Sequence, residues 1–124
     1  MIKGVGTDIV QIERIENTLS RLGDAFVKRI LTPDERLEYQ KSGNPTRLLA
    51  KRFAAKEALG KALGTGIGQG VSWQHIEVCH TDIGAPFLRL SERACERLEE
   101  VGASQHHLSI SDEQDYALAF VVIS

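Results

Sequence analysis

Asn44-Pro45-Thr46-Arg47-Leu48-Leu49-Ala50-Lys51-Arg52-Phe53-Ala54-Ala55-Lys56-Glu57-Ala58-Leu59-Gly60-Lys61-Ala62-Leu63 is the longest helical pattern in the chain, and Gly64-Thr65-Gly66-Ile67-Gly68 follows as its stop. At about 100° per residue, Leu48, Leu49, Phe53, Leu59 and Leu63 share one arc. Ala50, Ala54, Ala58 and Ala62 recur every four residues along another side, which lets a packing partner come close. Arg52 and Lys56 fall inside the apolar arc. Two cations there are costly to desolvate without anions, so they either belong to a site or an interface or reach out to water. Glu57 stands at the edge of the arc with Lys61 one turn later, the spacing of an ordinary helical ion pair.

Working back to the N-terminus, residues 2 to 11 alternate as a strand, with Ile2, Gly4, Gly6, Asp8 and Val10 on one face. The two glycines leave that face nearly bare beside Asp8, so something can approach the backbone there. Residues 13 to 22 form an amphipathic helix on Ile15, Leu19 and Leu22, with Arg14 and Arg21 on its outer side and Gly23 as its end. Asp24 is the expected cap of a short helix through Leu31. Thr32-Pro33-Asp34-Glu35 has the form of a capping box opening a helix to about Lys41.

Beyond the long helix, residues 71 to 79 and 87 to 90 read as strands joined by the turn 82–86. Ser91 caps a helix lined by Ala94, Leu98 and Val101 and ended by Gly102. Residues 107 to 111 and 116 to 123 are two more strands, the last apolar on both faces as in a buried central strand. The order of elements predicts an α+β fold, helices packed on a mainly antiparallel sheet. One domain is expected over 1–124, since a chain of 124 residues holds one hydrophobic core and no repeat or linker divides it.

With 42% hydrophobic and 26% charged residues and a net charge of -2, the composition is that of a soluble folded chain and argues against nucleic-acid binding by the whole surface. Cys79 and Cys95 fit neither a disulfide framework nor a zinc spacing, and His75, His80, His106 and His107 complete no zinc pattern with them. No signal segment and no apolar run of roughly 18 residues is seen, so the expected location is the cytoplasm, away from membranes.

Asp8 and Glu57 are hard oxygen ligands of the kind magnesium takes, with water and phosphate oxygens filling its shell. The Gly64 to Gly68 stretch offers amides unobstructed by large side chains, an arrangement suited to phosphate oxygens, although helix termination explains the same glycines. It is no Walker loop, because the glycines follow a helix. Ser109 and Ser111 lack a nucleophile elbow.

Three segments together, Gly4-Val5-Gly6-Thr7-Asp8-Ile9-Val10 with Ile12 and Arg14, Arg52-Phe53-Ala54-Ala55-Lys56-Glu57-Ala58 with Lys61 to Ile67, and His107-Leu108-Ser109-Ile110-Ser111, resemble the holo-[acyl-carrier-protein] synthase family of phosphopantetheinyl transferases. The likeness runs nearly end to end. It implies a magnesium-dependent enzyme of fatty-acid biosynthesis that moves 4'-phosphopantetheine from coenzyme A to a serine of apo acyl carrier protein. It also implies a homotrimer with active sites between protomers. By position it makes Asp8 and Glu57 the magnesium ligands, and Glu57 and Lys61 the catalytic groups. Arg52, Lys56, Lys61, Gly64, Thr65 and Gly66 become the coenzyme A contacts, and Arg14, Arg21 and Lys28 a basic face for the acidic carrier protein. Either Glu57 or a water on the metal takes the serine proton. Asp112 stands where many relatives carry a histidine, which leaves it unassigned as a base. Two rival readings are transfer to a polyketide or nonribosomal carrier domain and a module that binds coenzyme A without turnover.

Overall fold

The fold is described from a computed structural model covering all 124 residues. Strand β1 (Gly4–Gln11) leads into α1 (Ile12–Leu22), α2 (Asp24–Ile30) and α3 (Pro33–Lys41), and then into the long α4 (Pro45–Leu63). A hairpin of β2 (Ile76–His80) and β3 (Pro86–Leu90) follows, then α5 (Glu92–Glu100), β4 (His106–Asp112) and β5 (Tyr116–Ile123). The strands make an antiparallel sheet of order β1-β5-β4 and the separate β2-β3 hairpin, the expected α+β class divided between two sheets.

The two glycines of β1 have a concrete purpose. A Cβ on Gly4 would collide with the carbonyl of Ala62, and one on Gly6 with the carbonyl of Ala58. The visitor expected beside Asp8 is therefore α4 itself, which presents the buried alanine stripe Ala50, Ala54, Ala58 and Ala62. Small residues on both sides bring helix backbone against strand backbone, and side chains of Ala117, Ala119, Val121 and Ile123 close the same layer.

Local signals fared unequally. Both halves of the capping box form: the Thr32 hydroxyl accepts from the Glu35 N–H at 3.3 Å, and Glu35 Oε1 accepts from the Thr32 N–H at 2.9 Å. Asn44 caps α4 by accepting from the Arg47 N–H at 3.2 Å. Asp24, by contrast, lies inside the first turn of α2 while Gly23 (φ 60°) holds the cap position. The strand expected from residue 71 begins at Ile76, because Ser72 caps a short 3-10 turn, Trp73–His75. Ser91 makes no capping bond to α5. β5 is central in the pairing, yet its apolar residues are covered on one face only: Leu118 and Phe120 stay exposed.

Candidate active site

Alternation on β1 turns Asp8 toward α4, and the glycine-to-alanine contact draws Glu57 to the same place. The two carboxylates line one cavity of about 390 Å³ with Arg14 at its wall and Ile15, Phe26 and Phe53 among its apolar sides. Burial first, and the Asp8 charge second, hold the Glu57 carboxyl above its ordinary value, while Lys61 pulls it down. Lys61 does not pair with Glu57 along the helix. Its ammonium donates across to the Thr7 carbonyl at 2.8 Å and to Asp8 Oδ1 at 3.2 Å.

No group of three or more His, Cys, Asp or Glu side chains converges anywhere in the molecule. Two carboxylates in one cavity are a donor set for a hard cation that keeps water and phosphate oxygens as its remaining ligands, as magnesium does. The repulsion felt by Glu57 is what such a cation relieves.

Arg52 and Lys56 are both buried and do not share a cavity wall. Lys56 is fully buried, donating to Ile30 O at 2.6 Å, Glu35 Oε1 at 2.6 Å and Trp73 O at 3.2 Å. Burial pushes its ammonium down from the ordinary value, against the pull of Glu35. All three of its donors are used inside, so Lys56 has none left for coenzyme A, and the anion it needed comes from α3 instead of a substrate. Arg52 Nη2 donates to Glu38 at 2.9 Å, whereas Nη1 lies 3.6 Å from Glu35 and has no hydrogen-bond partner. Arg52 also lines a second cavity, about 410 Å³, with Arg47, Lys51, His80 and Asp112. There Asp112 accepts from Arg47 at 3.0 Å, and burial and the Arg52 charge hold the His80 imidazole below its ordinary value.

The glycine loop ends the helix. Gly64 takes the left-handed conformation and donates to Lys61 O, and Gly66 N–H donates to Gly60 O at 2.9 Å. These two amides are committed to α4 carbonyls, and the Thr65 hydroxyl to Gly66 O, so the loop is foremost a terminator. Arg14 and Arg21 are exposed on α1, and Lys28 is exposed on α2, 3.2 Å from Asp24. Sequence reasoning missed Arg47 and Lys51, one turn apart on α4, and gave His80, 29 positions beyond, no part with them, because the three carry no motif. It read Glu35 as a helix cap only.

A family model described as the 4'-phosphopantetheinyl transferase superfamily matches residues 4–121. The chain belongs to that superfamily. It is 55% identical over 122 residues to a holo-[acyl-carrier-protein] synthase of Shewanella amazonensis, with 98% of each chain covered. The crystal structure of such a synthase from Neisseria meningitidis superposes with TM-score 0.95 at 49% identity, covering 100% of this chain and 99% of that one. A Bacillus anthracis synthase solved in complex with CoA (3',5'-ADP) gives TM-score 0.83 at 42% identity, covering 99% of this chain and 96% of that one.

Proposed function

We propose that the cavity between β1 and α4 is where this chain carries out its phosphopantetheinyl transfer, with magnesium held by Asp8 and Glu57. The observation that carries the proposal is the pair of carboxylates in one cavity, one of them raised by burial and then by the other's charge. The overall reaction is that of a holo-[acyl-carrier-protein] synthase: the 4'-phosphopantetheine of coenzyme A moves to a serine of apo acyl carrier protein, leaving adenosine 3',5'-bisphosphate. Bound there, magnesium supplies charge neutralisation at the pyrophosphate.

The chain's own groups divide the remaining work. Glu57, a carboxylate in the cavity with Asp8, accepts the serine proton. Lys61 is half exposed beyond its bonds to Asp8 and Thr7, and its charge stabilises negative charge that develops on the phosphate oxygens. Arg52, with Arg47 and Lys51 in the second cavity, is suited to an anionic group of coenzyme A. Arg14 borders the carboxylate cavity, and with Arg21 and Lys28 it forms a cationic face for an acidic carrier protein.

The exposed face of the three-stranded sheet supports assembly into a homotrimer with active sites between protomers. Val5, Ile9, Leu118 and Phe120 lie on it, with Ile9 61% and Phe120 42% exposed. No helix is long and apolar enough to cross a membrane, which accords with work in the cytoplasm.

The test is mass spectrometry of apo acyl carrier protein incubated with coenzyme A, magnesium and either the native chain or Glu57→Gln. Native protein converts the carrier only with metal present. The variant, folded, loses transfer by about a hundredfold or more as ligand and base are lost together. Near-native conversion by Glu57→Gln would remove both roles.

A further inference from the structure

Glu35 is a fully buried carboxylate that touches no cavity, yet four groups from three elements converge on it. Oε1 accepts from the Thr32 N–H at 2.9 Å and from Lys56 Nζ at 2.6 Å; Oε2 accepts from the Val78 N–H at 2.9 Å and lies 3.6 Å from Arg52 Nη1. The start of α3, the β2 strand and two turns of α4 are thus tied to one side chain. Desolvating a carboxylate and an ammonium costs several kcal/mol each, and apolar side chains of like volume would join the same elements as firmly. An apolar residue could not hold a guanidinium in place.

That is the distinctive feature of this network. Arg52 is nine-tenths buried, and its Nη1 is the one buried side-chain polar atom in the molecule without a hydrogen-bond partner. Glu38 grips Nη2 from one side while Glu35 attracts Nη1 from a distance too long to satisfy it. Arg52 is also a lining residue of the cavity that holds Arg47, Lys51 and His80.

We infer that Glu35 is a positioning residue for the transfer reaction, which holds the Arg52 guanidinium at the wall of that cavity, where it meets an anionic group of coenzyme A. This rests on the reading that Arg52 meets coenzyme A, and deepens it by naming what orients the cation. Lys56, 2.6 Å from Glu35 Oε1, is the counter-charge packed against it in the interior.

Steady-state transfer by the full chain with magnesium tests the inference, reading KM for coenzyme A and for apo acyl carrier protein separately beside thermal melts. Glu35→Gln alone strands the Lys56 ammonium, so the informative variant is Glu35→Gln with Lys56→Met, which removes one charge of each sign. Arg52→Met should raise KM for coenzyme A about tenfold, the loss of one charge-assisted hydrogen bond. The Glu35→Gln, Lys56→Met variant should raise it similarly with KM for the carrier protein unchanged, and adding Arg52→Met should cause no further rise. An unchanged KM for coenzyme A in that folded variant, an equal rise for both substrates, or failure of the variant to fold each makes Glu35 a residue of the fold alone and overturns the inference. If Arg52→Met itself leaves KM unaltered, the reading of Arg52 as a coenzyme A contact falls, and the inference with it.

Discussion

Opposing demands meet at Glu57. Burial and the neighbouring Asp8 favour its neutral form, whereas a bound cation requires the carboxylate. Protons and magnesium therefore compete at this residue. Magnesium affinity, measured by calorimetry, should weaken as pH falls through the raised pKa of Glu57, beginning above the roughly 4.3 at which a free glutamate titrates. Binding in that window should release protons. For the metal-free chain the linkage runs the other way: a carboxyl raised in the folded state contributes stability while protonated, and loses it as pH rises through the folded value. Metal-free melting temperatures should thus gain from this residue on mild acidification, and magnesium should cancel the gain. A magnesium affinity flat across the weakly acidic range would separate Glu57 from the metal.

Among the elements, the packing of β1 on α4 decides whether Asp8 and Glu57 meet at all. Gly6→Val places a Cβ on the Ala58 carbonyl, a backbone atom that cannot turn aside. The helix must shift, at a cost of about 1–3 kcal/mol for overpacking, and the carboxylates separate with it. A urea melt should show the loss, and transfer by the folded fraction should fall too. Gly43→Ala, where an added Cβ meets nothing within 4 Å, is the matched control and should leave both unchanged. Loss of stability without loss of transfer would mean that the contact serves packing alone.

On the scale of the whole molecule, an exposed apolar sheet face and an exposed arginine beside the carboxylate cavity are the surfaces offered to other chains. Phe120→Arg puts a charge on the exposed sheet face, and light scattering should then show protomers in place of the proposed trimer expected of the native chain, with the helical circular dichroism kept. A monomeric native chain at micromolar concentration would refute the assembly. Arg14→Glu reverses charge at the mouth of the carboxylate cavity. It should raise KM for the carrier protein about tenfold at low salt and leave KM for coenzyme A nearly intact, the difference shrinking as salt screens the encounter. Equal losses toward both substrates would indicate damage to the fold.

Elements whose signals are local were legible in the sequence. The bounds of α4, its asparagine cap and glycine stop, the capping box at Thr32 and the α+β order all follow from backbone donors, φ preferences and apolar period, which neighbours in the chain decide among themselves. The candidate metal pair was legible too, but only through likeness to a family, since 49 positions separate Asp8 from Glu57. Tertiary structure alone decided the fate of the charges. Lys61 reached across to Asp8 instead of along its helix, Lys56 turned inward to a carboxylate offered by α3, and Arg52 was left with one edge open. A charged side chain takes whichever partner the fold delivers, because the energy of a buried ion depends on what surrounds it in space, and spacing along the chain does not record that.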